Sequence, residues 1–167
     1  MGGADLLKPA LNEIAADVDR AFDLLLPVPD DGRARLYEAM RHAAIGGGKR
    51  LRPLLVMATS QLFNVSRDAA LRVGTAIECI HVYSLIHDDL PCMDDDDLHR
   101  GLATAHRAFD EATAVLAGDS LHALAFEILA NPDTHSDPFV RGELVSTLAL
   151  ASGPEGMAGG QMMDIEA

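Results

Sequence analysis

Cysteine, strand-like alternation and positive charge are all scarce in these 167 residues, and each shortage closes off a class of protein. Two cysteines, Cys79 and Cys92, cannot build a disulfide framework and lack metal-site spacing, so both are expected as reduced thiols in a cytoplasmic protein. Lys and Arg number 13 against 26 Asp and Glu, a formal charge of −13 that argues against nucleic acid and anionic membrane surfaces as partners. The apolar runs are short and interrupted, so no membrane insertion is expected. The opening Met-Gly-Gly-Ala-Asp has no basic region and no apolar stretch after it, which predicts no signal peptide. Strand-like alternation between turn signals is missing, as are repeats, linkers and low-complexity tracts.

What remains is helical periodicity, and the fold class it predicts is all-α. With 49% hydrophobic residues the chain can bury one sizeable core, so residues 1–167 are taken as one domain. Apolar residues at Leu7, Leu11, Ile14, Val18, Phe22 and Leu25 form one amphipathic stripe, ended by Pro27 and Pro29. Asp30 or Asp31 would cap a second helix reaching about Ile45. Further helices are expected from Pro53 to about Phe63, from Ser66 or Arg67 to about Asp89, from about Phe109 to Leu129, and from Phe139 to Ala151. Val73 to Ile86 is nearly uncharged, which makes that helix a central one.

The most informative segment follows it. His87 to Gly101 holds six carboxylates, Asp88, Asp89, Asp94, Asp95, Asp96 and Asp97, within ten residues. Like charges this close raise one another's pKa, and those at a helix C-terminus also face the negative end of its dipole. A divalent cation removes both penalties. Oxygen ligands select a hard ion, and a few carboxylates with open positions suit Mg²⁺ shared with substrate phosphates. Pro91 ends the helix, leaving Asp88 and Asp89 on its last turn and Asp94 to Asp97 beyond a short Leu-Pro-Cys-Met excursion, so that both groups can converge on one ion. The spacing excludes an EF-hand. A solvated acidic loop is the plainer alternative.

A second constellation, Gly46-Gly47-Gly48-Lys49-Arg50-Leu51-Arg52-Pro53, sets three cations behind three glycines at the start of a helix. Glycine lets backbone approach an anion closely, and helix-start amides add positive field, so the run reads as a phosphate clamp. It is not a Walker A loop, because Arg follows the Lys and no strand precedes it. On an ideal wheel His81, Ser84, Leu85 and Asp88 share a face, setting an imidazole beside the leading carboxylate. His42, His106, His122 and His135 are expected as structural or surface residues.

These residues together resemble the all-α trans-prenyl diphosphate synthases, and most of all the bacterial farnesyl diphosphate synthases. The resemblance runs through Gly47 to Pro53, Glu78 to Asp89, the acid-rich segment to Gly101, Ala117-Gly118-Asp119, and Gly159-Gly160-Gln161-Met162-Met163-Asp164. It implies an isoprenoid-synthase-type helical bundle and head-to-tail condensation of isopentenyl diphosphate with an allylic diphosphate, dimethylallyl or geranyl, to give farnesyl diphosphate. It implies Mg²⁺ as cofactor, bound by Asp88 and Asp94, and a catalytic set of Asp88, Asp89, Asp94 and Arg100. Lys49, Arg50, Arg52, His81 and Arg100 are implied to bind substrate, with Tyr83 and Ser84 as the floor of the elongation pocket. A cytoplasmic homodimer is the implied assembly.

Two departures from the family pattern accompany the resemblance. His99 stands where the family has an arginine, which makes one diphosphate-facing charge titratable. The second aspartate-rich motif and a downstream Lys-Thr pair are not among the 167 residues, so the chain is expected to be a truncated N-terminal portion, inactive by itself. The alternative from another class is a noncatalytic helical subunit that binds diphosphates or modulates a complete synthase; a degenerate subunit would be expected to have lost acids that this chain keeps.

Overall fold

A computed structural model describes residues 3–167, with side chains from Leu7 onward. Its elements are α1 (Gly3–Leu25), α2 (Ala34–Ala44), α3 (Leu51–Leu62), α4 (Arg67–Asp88), a ribbon of β1 (Leu98–His99) and β2 (Leu102–Ala103), α5 (Ala105–Ala108), α6 (Glu111–Ala130), α7 (Pro138–Ser152) and α8 (Met157–Ile165). The all-α expectation holds, with one correction. Strand pairing does occur: β1 and β2 form an antiparallel pair with Leu98 opposite Ala103 and His99 opposite Leu102.

Local chemistry explains most of the boundaries. Ser66 accepts the Ala69 amide at 3.3 Å to start α4, Asp110 accepts that of Thr113 at 2.7 Å to start α6, and Asp137 accepts that of Phe139 at 2.8 Å to start α7. Pro53 lies in the first turn of α3, where its missing N–H is not needed, so that helix starts two residues earlier than expected. The expected aspartate cap of α2 is not there. Asp31 instead accepts the Arg33 backbone N–H at 2.8 Å and that residue's guanidinium, and Arg33 occupies the cap position with no side-chain bond. A guanidinium two residues away outcompeted the amides one turn on.

Helix α4 is the central one, touching α1, α2, α3 and α6. Its close approach to α3 is made at Gly74, where a Cβ would stand 3.2 Å from the Pro53 Cα. On α1 the stripe buries Ile14, Val18 and Phe22 together with Leu26, while Leu7 stays exposed. On α6 Ala117, Leu121, Leu124 and Ile128 are all buried, as the spacing predicts. Burying a side chain such as Phe22, Leu26 or Leu121 stabilises the fold by about 1.5–3 kcal/mol. By length and composition α4 and α6 could each cross a membrane, which corrects the expectation that no apolar stretch is long enough. Their partners here are other helices: half of the most apolar window of α4 is buried inside the protein.

Candidate active site

The acid-rich segment folds back on the end of α4. Asp88 closes the helix and Asp89 caps it, as Pro91 predicts. The amide of Asp94 donates to the Asp88 carbonyl at 2.8 Å, and that of Asp95 to the Leu90 carbonyl at 3.1 Å, so the second acid group returns to the first. Burial raises the pKa of Asp88, and the nearby charge of Asp94 raises it further. Asp89 is raised likewise, first by burial, with Asp96 and Asp88 adding and His99 and His106 opposing. Asp97 is turned to another purpose, its carboxylate pairing with Arg107.

The glycine loop lies against this segment. Arg100, at the tip of the ribbon, passes directly over Gly48: a Cβ there would stand 2.7 Å from Arg100 Nη1 and 3.8 Å from Arg50 Nη1. A side chain there would displace the Arg100 guanidinium, and the left-handed φ of 89° at Gly48 is one that residues other than glycine rarely adopt. Below the contact is a cavity with a polar wall of Arg50, His81, Asp89, His99 and Arg100 and an apolar wall that includes Val82, Leu85 and Ile86. His81 is held below the ordinary histidine pKa, first by burial and then by the charges of Arg52, Arg100 and Arg50, with Glu78 opposing. The imidazole therefore stands neutral in a positive field, on a protein that is acidic overall.

The expected residues divide between two sides of the end of α4. His81, Asp89 and Arg100 share the cavity. Asp88 faces the other way, accepting the Gln161 side-chain amide at 2.9 Å from α8. Tyr83 is on that side too, its hydroxyl pKa raised by burial and by Asp88, with its ring against His122 at 4.9 Å and His87 at 5.7 Å. Ser84 donates to the His81 carbonyl at 2.8 Å. Lys49 and Arg52 are exposed and outside the cavity lining, Arg52 close enough to act on His81.

Arg50 needs a correction. Its side chain is 2% exposed, its Nη1 donates to Glu78 at 2.9 Å, and its Nη2 donates to Asp19 at 2.8 Å and to the Ala44 carbonyl at 2.5 Å. The guanidinium, which also lines the cavity, is thus an anchor that joins the glycine loop to α1, α2 and α4. Asp19 completes the brace by accepting the Gly46 amide at 3.3 Å. Sequence reasoning gave no role to Gln161 or to Thr104, which ties the ribbon to the acid segment, while His42, expected as a structural or surface residue, has its Nε2 2.8 Å from the Ala103 carbonyl. Gln161 alone carried a signal, as part of a recognised motif.

Among the described residues no three His, Cys, Asp or Glu side chains are gathered into a ready metal cage. The donor set fits a different kind of site. Asp94 is close enough for its charge to raise the Asp88 pKa, and Mg²⁺ commonly takes one or two carboxylates and fills its octahedron with water and substrate phosphate. Left-handed backbone clusters around these loops: Gly46, Gly48, Arg50, Asp95, Arg100 and Gly101 all have positive φ, and Asn64 is the one such residue elsewhere among those described.

The class is an all-α protein in which Asp89 of the acid-rich turn and Arg100 of the ribbon line one cavity beside the glycine loop. Comparison with known proteins makes this specific. Residues 33–167 match the polyprenyl synthetase family model, and the chain belongs to that family. It is 54% identical over 136 residues to farnesyl diphosphate synthase of Escherichia coli strain K12, covering 79% of this chain and 44% of that protein. It is 45% identical over 168 residues to the Bacillus subtilis enzyme of the same name, covering 98% and 53%. The fold superposes on the apo crystal structure of an FPP/GFPP synthase from Zymomonas mobilis with a TM-score of 0.96 and 66% identity, over 98% of this chain and 59% of that one. The chain thus spans about half the length of the curated relatives it matches.

Proposed function

We propose that this chain is the N-terminal portion of a single all-α prenyl diphosphate synthase domain, which condenses isopentenyl diphosphate with dimethylallyl or geranyl diphosphate to give farnesyl diphosphate. The observation that carries the reading is the placement of Arg100 over Gly48 beside His81, because it brings a cation of the acid-rich segment onto the glycine loop, with Asp89 in the same cavity. Mg²⁺, held by Asp88 and Asp94 together with substrate oxygens, would neutralise the charge that develops on the departing diphosphate. Lys49, Arg52 and Arg100 bind diphosphate oxygens from the protein side. His81, neutral at its position, donates a hydrogen bond without adding charge. Asp89 sits at the junction of the two substrate sites. Val82, Leu85 and Ile86 exclude water from the allylic cation formed when the C–O bond ionises. The isopentenyl double bond attacks that cation, and proton loss restores an alkene.

Tyr83 and Ser84 form the floor of the elongation pocket, with fifteen carbons as the product length. A cytoplasmic homodimer is the assembly this reading carries. The test is calorimetry of the chain with dimethylallyl diphosphate. Binding that requires Mg²⁺ is expected, and equal affinity in excess chelator would sink the proposal. A noncatalytic subunit would show the same binding, with no condensation even in a full-length protein.

A further inference from the structure

Thr104 lines the cavity without being counted among the diphosphate-binding residues, and it is the knot at which the acid-rich segment, the ribbon and α5 meet. It is 3% exposed. Its hydroxyl donates to the Asp96 carbonyl at 2.8 Å and its amide to the Asp97 carbonyl at 3.1 Å, so one residue closes the loop that begins at Asp94. The same hydroxyl lies 3.1 Å from Nδ1 of His106, a residue 7% exposed. A hydroxyl has a single proton. With that proton on the Asp96 carbonyl, the Thr104 oxygen accepts from His106 Nδ1–H, which fixes the imidazole tautomer and orders a chain from His106 to Thr104 to Asp96. The two-residue strands between these points offer little pairing of their own, so the place of Arg100 at the ribbon tip depends on how the ribbon's ends are held. The open end is held by Thr104 on the Asp96 and Asp97 carbonyls and by His42 on the Ala103 carbonyl beside it.

We infer that Thr104 and His106 are positioning residues of the diphosphate site: their hydrogen-bonded pair sets the acid-rich loop and the ribbon in register, which keeps Asp94 beside Asp88 and Arg100 over Gly48. The inference rests on the diphosphate reading for its functional consequence but not for its structural one. Orienting contacts behind first ligands are commonly worth about 10–100-fold in affinity.

The experiment compares Thr104→Val, Thr104→Ser, His106→Asn and His106→Leu in the 167-residue chain, with Thr104→Ser and His106→Asn keeping the hydroxyl and the Nδ1-like donor. The first readout is amide hydrogen exchange across residues 94–104 without ligand. Faster exchange confined to that segment is expected for Thr104→Val and His106→Leu, and near wild-type exchange for the two conservative variants. The second readout is Mg²⁺-dependent affinity for dimethylallyl diphosphate, expected to fall about tenfold or more in the first pair and to be retained in the second. Unchanged exchange in Thr104→Val overturns the inference whether or not diphosphate binds. Wild-type affinity in a Thr104→Val protein that binds diphosphate overturns it as well. If wild type binds no diphosphate, the proposed function fails and the exchange data still decide the positioning role. If Thr104→Val does not fold, His106→Leu against His106→Asn carries the same comparison.

Discussion

At the scale of single residues, the buried pair of Arg50 and Glu78 holds the glycine loop in place, and its two partners are almost fully removed from water. Removing one partner of such a pair strands the other charge. Glu78→Ala is expected to cost about 3–5 kcal/mol, read as a lower urea midpoint at unchanged m-value. A loss of about 1 kcal/mol or less would mean that the pair behaves as a solvated surface bridge. The titrating groups of the site pull in opposite directions. Asp88 and Asp89 hold their protons more tightly in the folded protein than in the unfolded one, so the ligand-free fold gains stability as pH falls through their raised pKa values and loses it as pH rises. His81 has a folded pKa below 6.5, so its contribution is intact above about pH 6.5 and erodes as pH falls and the unfolded chain takes up the proton. Nuclear magnetic resonance titration should place the His81 midpoint below 6.5 in the ligand-free chain and move it up when Mg²⁺ and dimethylallyl diphosphate are added. A midpoint that stays put on saturation would separate His81 from the anion.

At the scale of elements, the seam between α4 and α6 carries Tyr83 on the Asp88 side. Tyr83 leans on His122, which in turn meets Phe126 at 5.2 Å, so a column of aromatic rings runs along the seam. Truncation to alanine opens that column from one end. Tyr83→Ala in a full-length protein is expected to shift products toward twenty carbons or more, checked by chromatography of the dephosphorylated alcohols. A fifteen-carbon product with activity retained would put the floor elsewhere. The helices themselves were largely legible in the sequence, because caps such as Ser66, Asp110 and Asp137 and breakers such as Pro91 act within four residues. Three features were not. The ribbon has only two residues per strand, too few for alternation to register. The α2 cap was lost to a local salt bridge. Arg50 looked like its cationic neighbours because the carboxylates that claim it lie 28 and 31 positions away in the chain. The helical wheel set His81 on one face with Asp88, whereas His81 lines the cavity and Asp88 turns to Gln161, and the role given to Arg100 came from the resemblance and not from spacing.

At the scale of the whole molecule, the described surface carries large apolar side chains with no cover, among them Phe139 at 84%, Met163 at 75% and Leu150 at 66% exposure on α7 and α8. Exposed apolar side chains in this number favour association. The chain by itself is expected to bind diphosphate yet turn over far more slowly than about 1 per second, a rate ordinary for complete enzymes, and to elute as self-associated species in size-exclusion chromatography. Turnover at the ordinary rate from monomeric material would refute this. The left-handed residues around the site have a consequence for anyone who evolves this protein in the laboratory. Arg100, at φ 53°, sits in a backbone region that costs a side-chain-bearing residue about 1 kcal/mol and costs glycine little. A library screened for heat resistance alone would therefore reward Arg100→Gly, and the survivors would be sturdier proteins with the cation over Gly48 erased.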